Sequence, residues 1–187
     1  MSEIRAFIAL RSSQVLKKKL AAVQSELISE NADVKWDLPE KFHITLKFLG
    51  NCKPEVLAQL TTDLRSSLQD IHSFEIVYRA IGCFPTITHP KVVWVGADKN
   101  QSLDQLQAKV EEACTKLGFT KEDRQFHPHI TLGRVKGNRN IHRLTEKLKS
   151  ITLEPLQAQC SEVLLMRSEL KPTGSIYTLL NSIPFKS

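Results

Sequence analysis

No apolar run in the 187-residue chain approaches the ~18 residues needed to span a bilayer. No membrane-spanning helix is therefore expected within it. The first residues, Met1–Leu10, lack a following small-residue cleavage site and carry Glu3 and Arg5 beside a short apolar stretch. They read as a first strand rather than a signal peptide, so a cytoplasmic location is expected. The four cysteines, Cys52, Cys83, Cys114 and Cys160, form no Cys-x-x-Cys pair. A sequence-local zinc knuckle or dithiol redox motif is thereby excluded, and free, buried thiols are expected. No Gly/Ser-rich linker divides the chain, so residues 1–187 are expected to form one domain.

What is present is ordinary for a globular protein: 41% hydrophobic and 25% charged residues. The net charge of +6 is compatible with phosphate-bearing partners, because Lys and Arg raise the local concentration of anions. The run Lys17–Lys19 falls in a predicted helix and reads as a solvated face.

The pattern of elements is written twice. Ile4–Leu10 reads as a strand. Ser12 and Ser13 can cap a helix with an apolar stripe at Leu16, Leu20, Val23 and Leu27. Phe42–Leu49 reads as a second strand, and Pro54 opens a helix with a stripe at Leu57, Leu60, Leu64 and Leu68. Ser73–Ile81 reads as a third strand, followed by a loop over Gly82–Pro90. The order then restarts with a strand at Lys91–Ala97. Ser102 and Gln105 read as a capping box for a helix ending at Gly118. A strand at His129–Val135, a helix near Asn140–Lys149 and strands near Leu156–Met166 and Ile176–Asn181 complete the chain. Phe7 precedes His43 by 36 residues, as Val93 precedes His129. The pattern predicts an α+β fold of two pseudo-symmetric lobes, roughly 1–85 and 86–187. Each lobe would hold an antiparallel sheet backed by helices, with a cleft between them and the terminal strands free to pair across.

The tetrapeptide His-Ile-Thr-Leu occurs at His43–Leu46 and again at His129–Leu132, in the same slot of the repeated unit. Strand side chains alternate, so His43 shares a face with Thr45, and His129 with Thr131. The isoleucines and leucines take the opposite face, toward the helices. A two-fold relation between lobes would bring two imidazoles and two hydroxyls around one point. Such a set suits a phosphodiester: histidine titrates near pH ~6.5, so one ring can accept a proton while another donates one. Threonine hydroxyls can donate to the non-bridging oxygens. A zinc site built on the His127/His129 pair lacks an acidic residue or cysteine in an obvious ligand slot, so no metal or cofactor is expected.

These residues resemble the two-histidine phosphoesterase superfamily, defined by two His-x-Thr-x motifs. The likeness is to its RNA 2′,3′-cyclic phosphodiesterase branch, also called 2′-5′ RNA ligase. It is carried by RAFIAL near the N-terminus, FHITLKFLG around His43 and RQFHPHITLGR around His129. The resemblance implies a bilobal α+β fold and hydrolysis of an RNA terminal 2′,3′-cyclic phosphate to a 2′-phosphate, with reversible 2′-5′ ligation when an RNA 5′-hydroxyl replaces water. It implies His43 as proton donor, His129 as proton acceptor, and Thr45 and Thr131 as phosphate holders. Arg134 also matches the family pattern and is expected to bind substrate. Its strand parity, however, is that of Ile130 and Leu132, so it reaches the cleft only if the strand twists or ends there. Phe48 occupies the equivalent place after the first motif. Phe84 and Trp36 are expected in the core rather than against a base, and His127 in a supporting role or none. His72, His89 and His142 are expected to be exposed. A monomer acting on RNA ends is expected. The alternatives are a non-catalytic nucleotide- or RNA-binding module and a phosphodiesterase for a small cyclic nucleotide.

Overall fold

Ser13 caps the first helix: its hydroxyl accepts the Leu16 amide at 3.2 Å, and Leu16, Leu20, Gln24 and Leu27 are buried along the helix behind it. The structure, a computed structural model, describes residues 2–172 and 174–186. The elements are β1 (Ile4–Arg11), α1 (Gln14–Ile28), β2 (Val34–Trp36), a single 3-10 turn at Pro39–Lys41, β3 (His43–Cys52), α2 (Pro54–Ser67), β4 (Phe74–Thr86) and β5 (His89–Ala97). There follow α3 (Gln101–Lys116), β6 (His129–Val135), α4 (Ile141–Ser150), β7 (Leu156–Cys160), β8 (Glu162–Lys171) and β9 (Gly174–Pro184).

The strands form one antiparallel sheet in the order β7-β4-β5-β6-β3-β1-β8-β9, with β2 on β6. The fold is α+β, with two arms joined where β3 meets β6. α2 packs with α3 and reaches β9, α3 reaches β3, and α1 packs with α4 and reaches β7. The core fills the space between sheet and helices, with Ile8, Leu10, Ile44, Val93, Val95, Ile130 and Leu132 from the strands.

Several expectations change. The capping residue of α3 is Asn100, whose side chain accepts the Leu103 amide at 3.0 Å; Ser102 lies inside the first turn. Asn100 is extended and one position before the first helical residue, which is what a cap requires. The stretch Gly82–Pro90 is not a loop, because β4 and β5 run on to Thr86 and His89. Gly82 serves close approach there: a Cβ on it would sit 2.8 Å from the Trp94 ring of the paired strand. The single strand expected over Leu156–Met166 is two, split at Ser161, with β7 on β4 and β8 on β1. Strand β2 was not anticipated; three residues are too few to show alternation.

The arms of the sheet also cut across the sequence halves. β2 and β4 come from before residue 86 yet pair in the arm of β5 to β7. β8 and β9 come from after it and complete the arm of β1 and β3. The terminal strands do pair across, as the sequence allowed.

Candidate active site

β3 and β6 touch through one antiparallel pair, Ile44 with Ile130. These are equivalent residues of the two motifs, so equivalent positions pair with each other, as a local two-fold axis requires. Continuing that register one residue each way sets His43 beside Thr131 and His129 beside Thr45. The two histidines are then diagonal neighbours, a relation that spaces residues about 7–8 Å apart. Ile44, Leu46, Ile130 and Leu132 are buried on the helix side, while His43, Thr45, His129 and Thr131 are half-buried on the opposite face.

Each imidazole is held in the same way. His129 Nδ1 donates to the His127 carbonyl at 2.7 Å, and His43 hydrogen-bonds the Lys41 carbonyl, again two residues back. A carbonyl only accepts, so the bonded ring nitrogen carries the proton and the other faces the cleft. In His43 that other nitrogen, Nε2, lies 3.2 Å from the Thr45 hydroxyl. Phe7 stacks on the His43 ring at 5.0 Å and Tyr177 meets its edge at 5.6 Å. Phe84 meets His129 edge-on at 4.9 Å, with Trp94 at 6.4 Å. Burial lowers the pKa of His43 to about 4, against the raising effect of the Lys41 bond; the nearby charges of Lys17 and His129 lower it too. His129 is also lowered, first by burial and then by Arg134 and His127. Both rings are therefore neutral at pH 7 in the free protein.

Arg134 reaches the cleft face, and the reason is a register shift. Trp94 pairs with Thr131 but Val93 pairs with Gly133, so Leu132 is skipped and the alternation reverses after it. Arg134 then shares the face of His129 and Thr131, and its charge acts on His129, Asp37 and Tyr177. β3 makes the same shift: Ala9 pairs with Thr45 and Ile8 with Lys47, so Leu46 is skipped. Phe48 thereby lands on the cleft face, 66% exposed, and Lys47 turns inward to Glu111 at 2.5 Å. The skipped Leu132 is pinned: its carbonyl accepts Gln24 Nε2 and the Asp37 amide, both at 2.8 Å. The same Gln24 amide also donates to the Asp37 carbonyl at 2.8 Å.

The register also moves the repeat by one residue in the outer strand. Phe7 pairs with Phe48, and Val92 pairs with Arg134, so the counterpart of Phe7 is Val92 rather than Val93. Trp36 is partly buried against the core, as expected, with its ring over Gly133. Phe84 is half-buried but lies against His129, not in the main core. His127 contributes through its carbonyl while its side chain is exposed; His72, His89 and His142 are exposed. Lys17 is not simply a solvated residue: it lines a groove beside His43, whereas Lys18 and Lys19 are exposed. Gln24, Phe7, Tyr177 and Trp94 were missed. Only Gln24 left a signal, as a polar residue spaced four from Leu20 and three from Leu27 on the apolar stripe. Among the described residues, no three His, Cys, Asp or Glu side chains converge as a metal cluster.

Residues 14–172 match the model of the 2′-5′ RNA ligase superfamily. The chain is 37% identical over 177 residues to the RNA 2′,3′-cyclic phosphodiesterase of Methanothermobacter thermautotrophicus, covering 94% of this chain and 96% of that one. It is 34% identical over 167 residues to the RNA 2′,3′-cyclic phosphodiesterase of Aeropyrum pernix, covering 88% of this chain and 94% of that one. Its fold is similar to TT0787 of Thermus thermophilus, at a TM-score of 0.82 and 24% identity over 98% of both chains. It is also similar in fold to E. coli LigT, at a TM-score of 0.80 and 20% identity over all of both chains. With a family match running through both motifs and relatives covered almost end to end, this chain belongs to the 2′-5′ RNA ligase superfamily.

Proposed function

We propose that the protein hydrolyses the 2′,3′-cyclic phosphate at an RNA end to a 2′-phosphate, by acid–base catalysis between His43 and His129. The reading rests on one observation above all: the Ile44–Ile130 pair, which sets both His-x-Thr faces on one side of the sheet. The names of the relatives supply the substrate class. His129 Nε2 takes a proton from water as its oxygen attacks phosphorus. The bond from phosphorus to the 3′ oxygen breaks, and His43 gives its proton to that oxygen. The products are a 2′-phosphomonoester and a 3′-hydroxyl, and solvent returns the proton from His129 to His43. Positioned proton transfer of this kind contributes ~10²- to 10⁴-fold each.

His43 must be charged to donate, yet burial holds it neutral in the free protein. The anionic phosphate supplies the remedy, because a negative charge between the rings raises the pKa of both. Thr45 and Thr131 donate to the non-bridging oxygens, and Arg134 balances their charge. With an RNA 5′-hydroxyl in place of water, the same steps form a 2′-5′ linkage and run in reverse when the rings exchange roles. The protein is read as a cytoplasmic monomer that needs no metal.

The test is turnover of a cyclic-phosphate-ended oligonucleotide in excess chelator by wild type, His43→Ala and His129→Ala. Full wild-type turnover, a loss of at least ~10² in each variant, and a bell-shaped pH dependence of kcat are expected. Turnover that vanishes with chelator and returns with zinc rejects the mechanism; binding without turnover rejects the reaction.

A further inference from the structure

A groove of about 550 Å³ is lined by His43 and not by His129. Its floor is apolar, with Leu164 and Met166 from β8 and Leu179 and Tyr177 from β9. Its rim carries Arg11, Lys17 and Lys41, opposed by the single carboxylate of Glu40. Arg11 is partly neutralised by Glu162 at 2.5 Å. The Lys17 ammonium is held by the Glu40 carbonyl at 3.0 Å, and that of Lys41 stands 5.9 Å from the Tyr177 ring centre. Among the described residues neither ammonium has a carboxylate partner within salt-bridge distance. Lys35 extends the rim: a Cβ on Gly174 would lie 3.3 Å from the Lys35 ammonium and 3.7 Å from that of Lys41. Cations gathered this closely repel one another unless an anion joins them.

The chemistry of the reaction says which anion. In an in-line displacement the entering and leaving oxygens lie on opposite sides of phosphorus. The leaving 3′ oxygen faces the proton donor, and the nucleoside that carries it lies on that side. The near two-fold symmetry of the motifs does not choose a side. Aromatic rings pack against both histidines, but the groove does choose: His43 lines it together with Lys17 and Lys41, and His129 does not.

We propose that this groove seats the RNA chain leading into the terminal phosphate, with Lys17 and Lys41 against its backbone phosphates and the β8–β9 floor beneath its riboses and bases. The inference rests on the proposed function, and it makes His43 the donor from shape rather than from resemblance. The apolar floor suits sequence-tolerant contact, and the rim tracks a backbone.

Binding tests it without requiring turnover. A labelled pentanucleotide ending in a 2′-phosphate is titrated by fluorescence anisotropy, and a mononucleoside 2′-phosphate is titrated in competition. The wild type is expected to bind the pentanucleotide about tenfold tighter, and Lys17→Ala/Lys41→Ala to lose that advantage. The double variant should also flatten the salt dependence by about 1.4 in log–log slope, for two phosphate contacts at ~0.7 each on a single strand. Lys18→Ala/Lys19→Ala, on the same helix but outside the groove, should keep both. An advantage that survives the groove variant, or falls equally in the control, overturns the proposal. Failure of the proposed function shows separately, as absence of turnover on either ligand's cyclic form while the pentanucleotide still binds in the groove.

Discussion

At the scale of the residue, the two histidines carry a stability consequence as well as a chemical one. An imidazole lowered to about 4 in the folded chain and near 6.5 when unfolded is neutral in both states above pH 6.5. As pH falls from 6.5, the unfolded chain takes the proton first and is favoured. The contribution of His43 is therefore present above pH 6.5 and lost progressively as pH falls through about 4. The loss is roughly 2–3 kcal/mol, allowing for the part of the ring open to solvent. Denaturant melts between pH 7 and 4 should show a steeper fall for wild type than for His43→Gln; parallel curves would reject the buried neutral ring. The motif made the identity of these residues legible. Their aromatic settings were not, because Phe7 and Tyr177 come from strands that meet His43 only through pairing of β1 and the packing of β9.

At the scale of the element, the strand bulges decide more than the strands do. An unbroken β6 would put Arg134 on the helix side with Ile130 and Leu132. The skipped Leu132 reverses the alternation, and Gln24 from α1 holds it there. Gln24→Leu removes the Nε2 donor from two carbonyls. It should lower stability by about 1–3 kcal/mol and raise KM for a cyclic-phosphate substrate with kcat little changed. If Gln24 acts through Arg134, the KM effects of Gln24→Leu and Arg134→Ala should fall well short of adding, as coupled sites do. Additive effects would mean that Gln24 only supports the fold. Each bulge turns two consecutive residues inward, Leu46 with Lys47 and Leu132 with Gly133. Because the second of each pair is a lysine or a glycine, the doublet does not show as an apolar run in the sequence.

At the scale of the whole molecule, the helices and the sheet leave no cysteine in reach of solvent. All four are buried and free, and burial pushes Cys83 up to about 11 and Cys114 and Cys160 up to about 12. A thiol reagent at pH 8 should find almost no reactive group in the native protein and four after denaturation, because the thiolate is the reacting species. Fast native labelling of even one would contradict the packing.

The sequence by itself determined the helices, most strands and the two His-x-Thr faces. Caps, apolar periods and strand alternation act between neighbours a few residues apart, so they can be read along the chain. Only the tertiary structure decided which arm each strand joins, which face Arg134 takes and where the groove lies. Those outcomes depend on pairings between segments far apart in sequence, such as β1 with β8 or Leu132 with Gln24. No local pattern records such pairings, because their energy exists only once the distant partners are in contact.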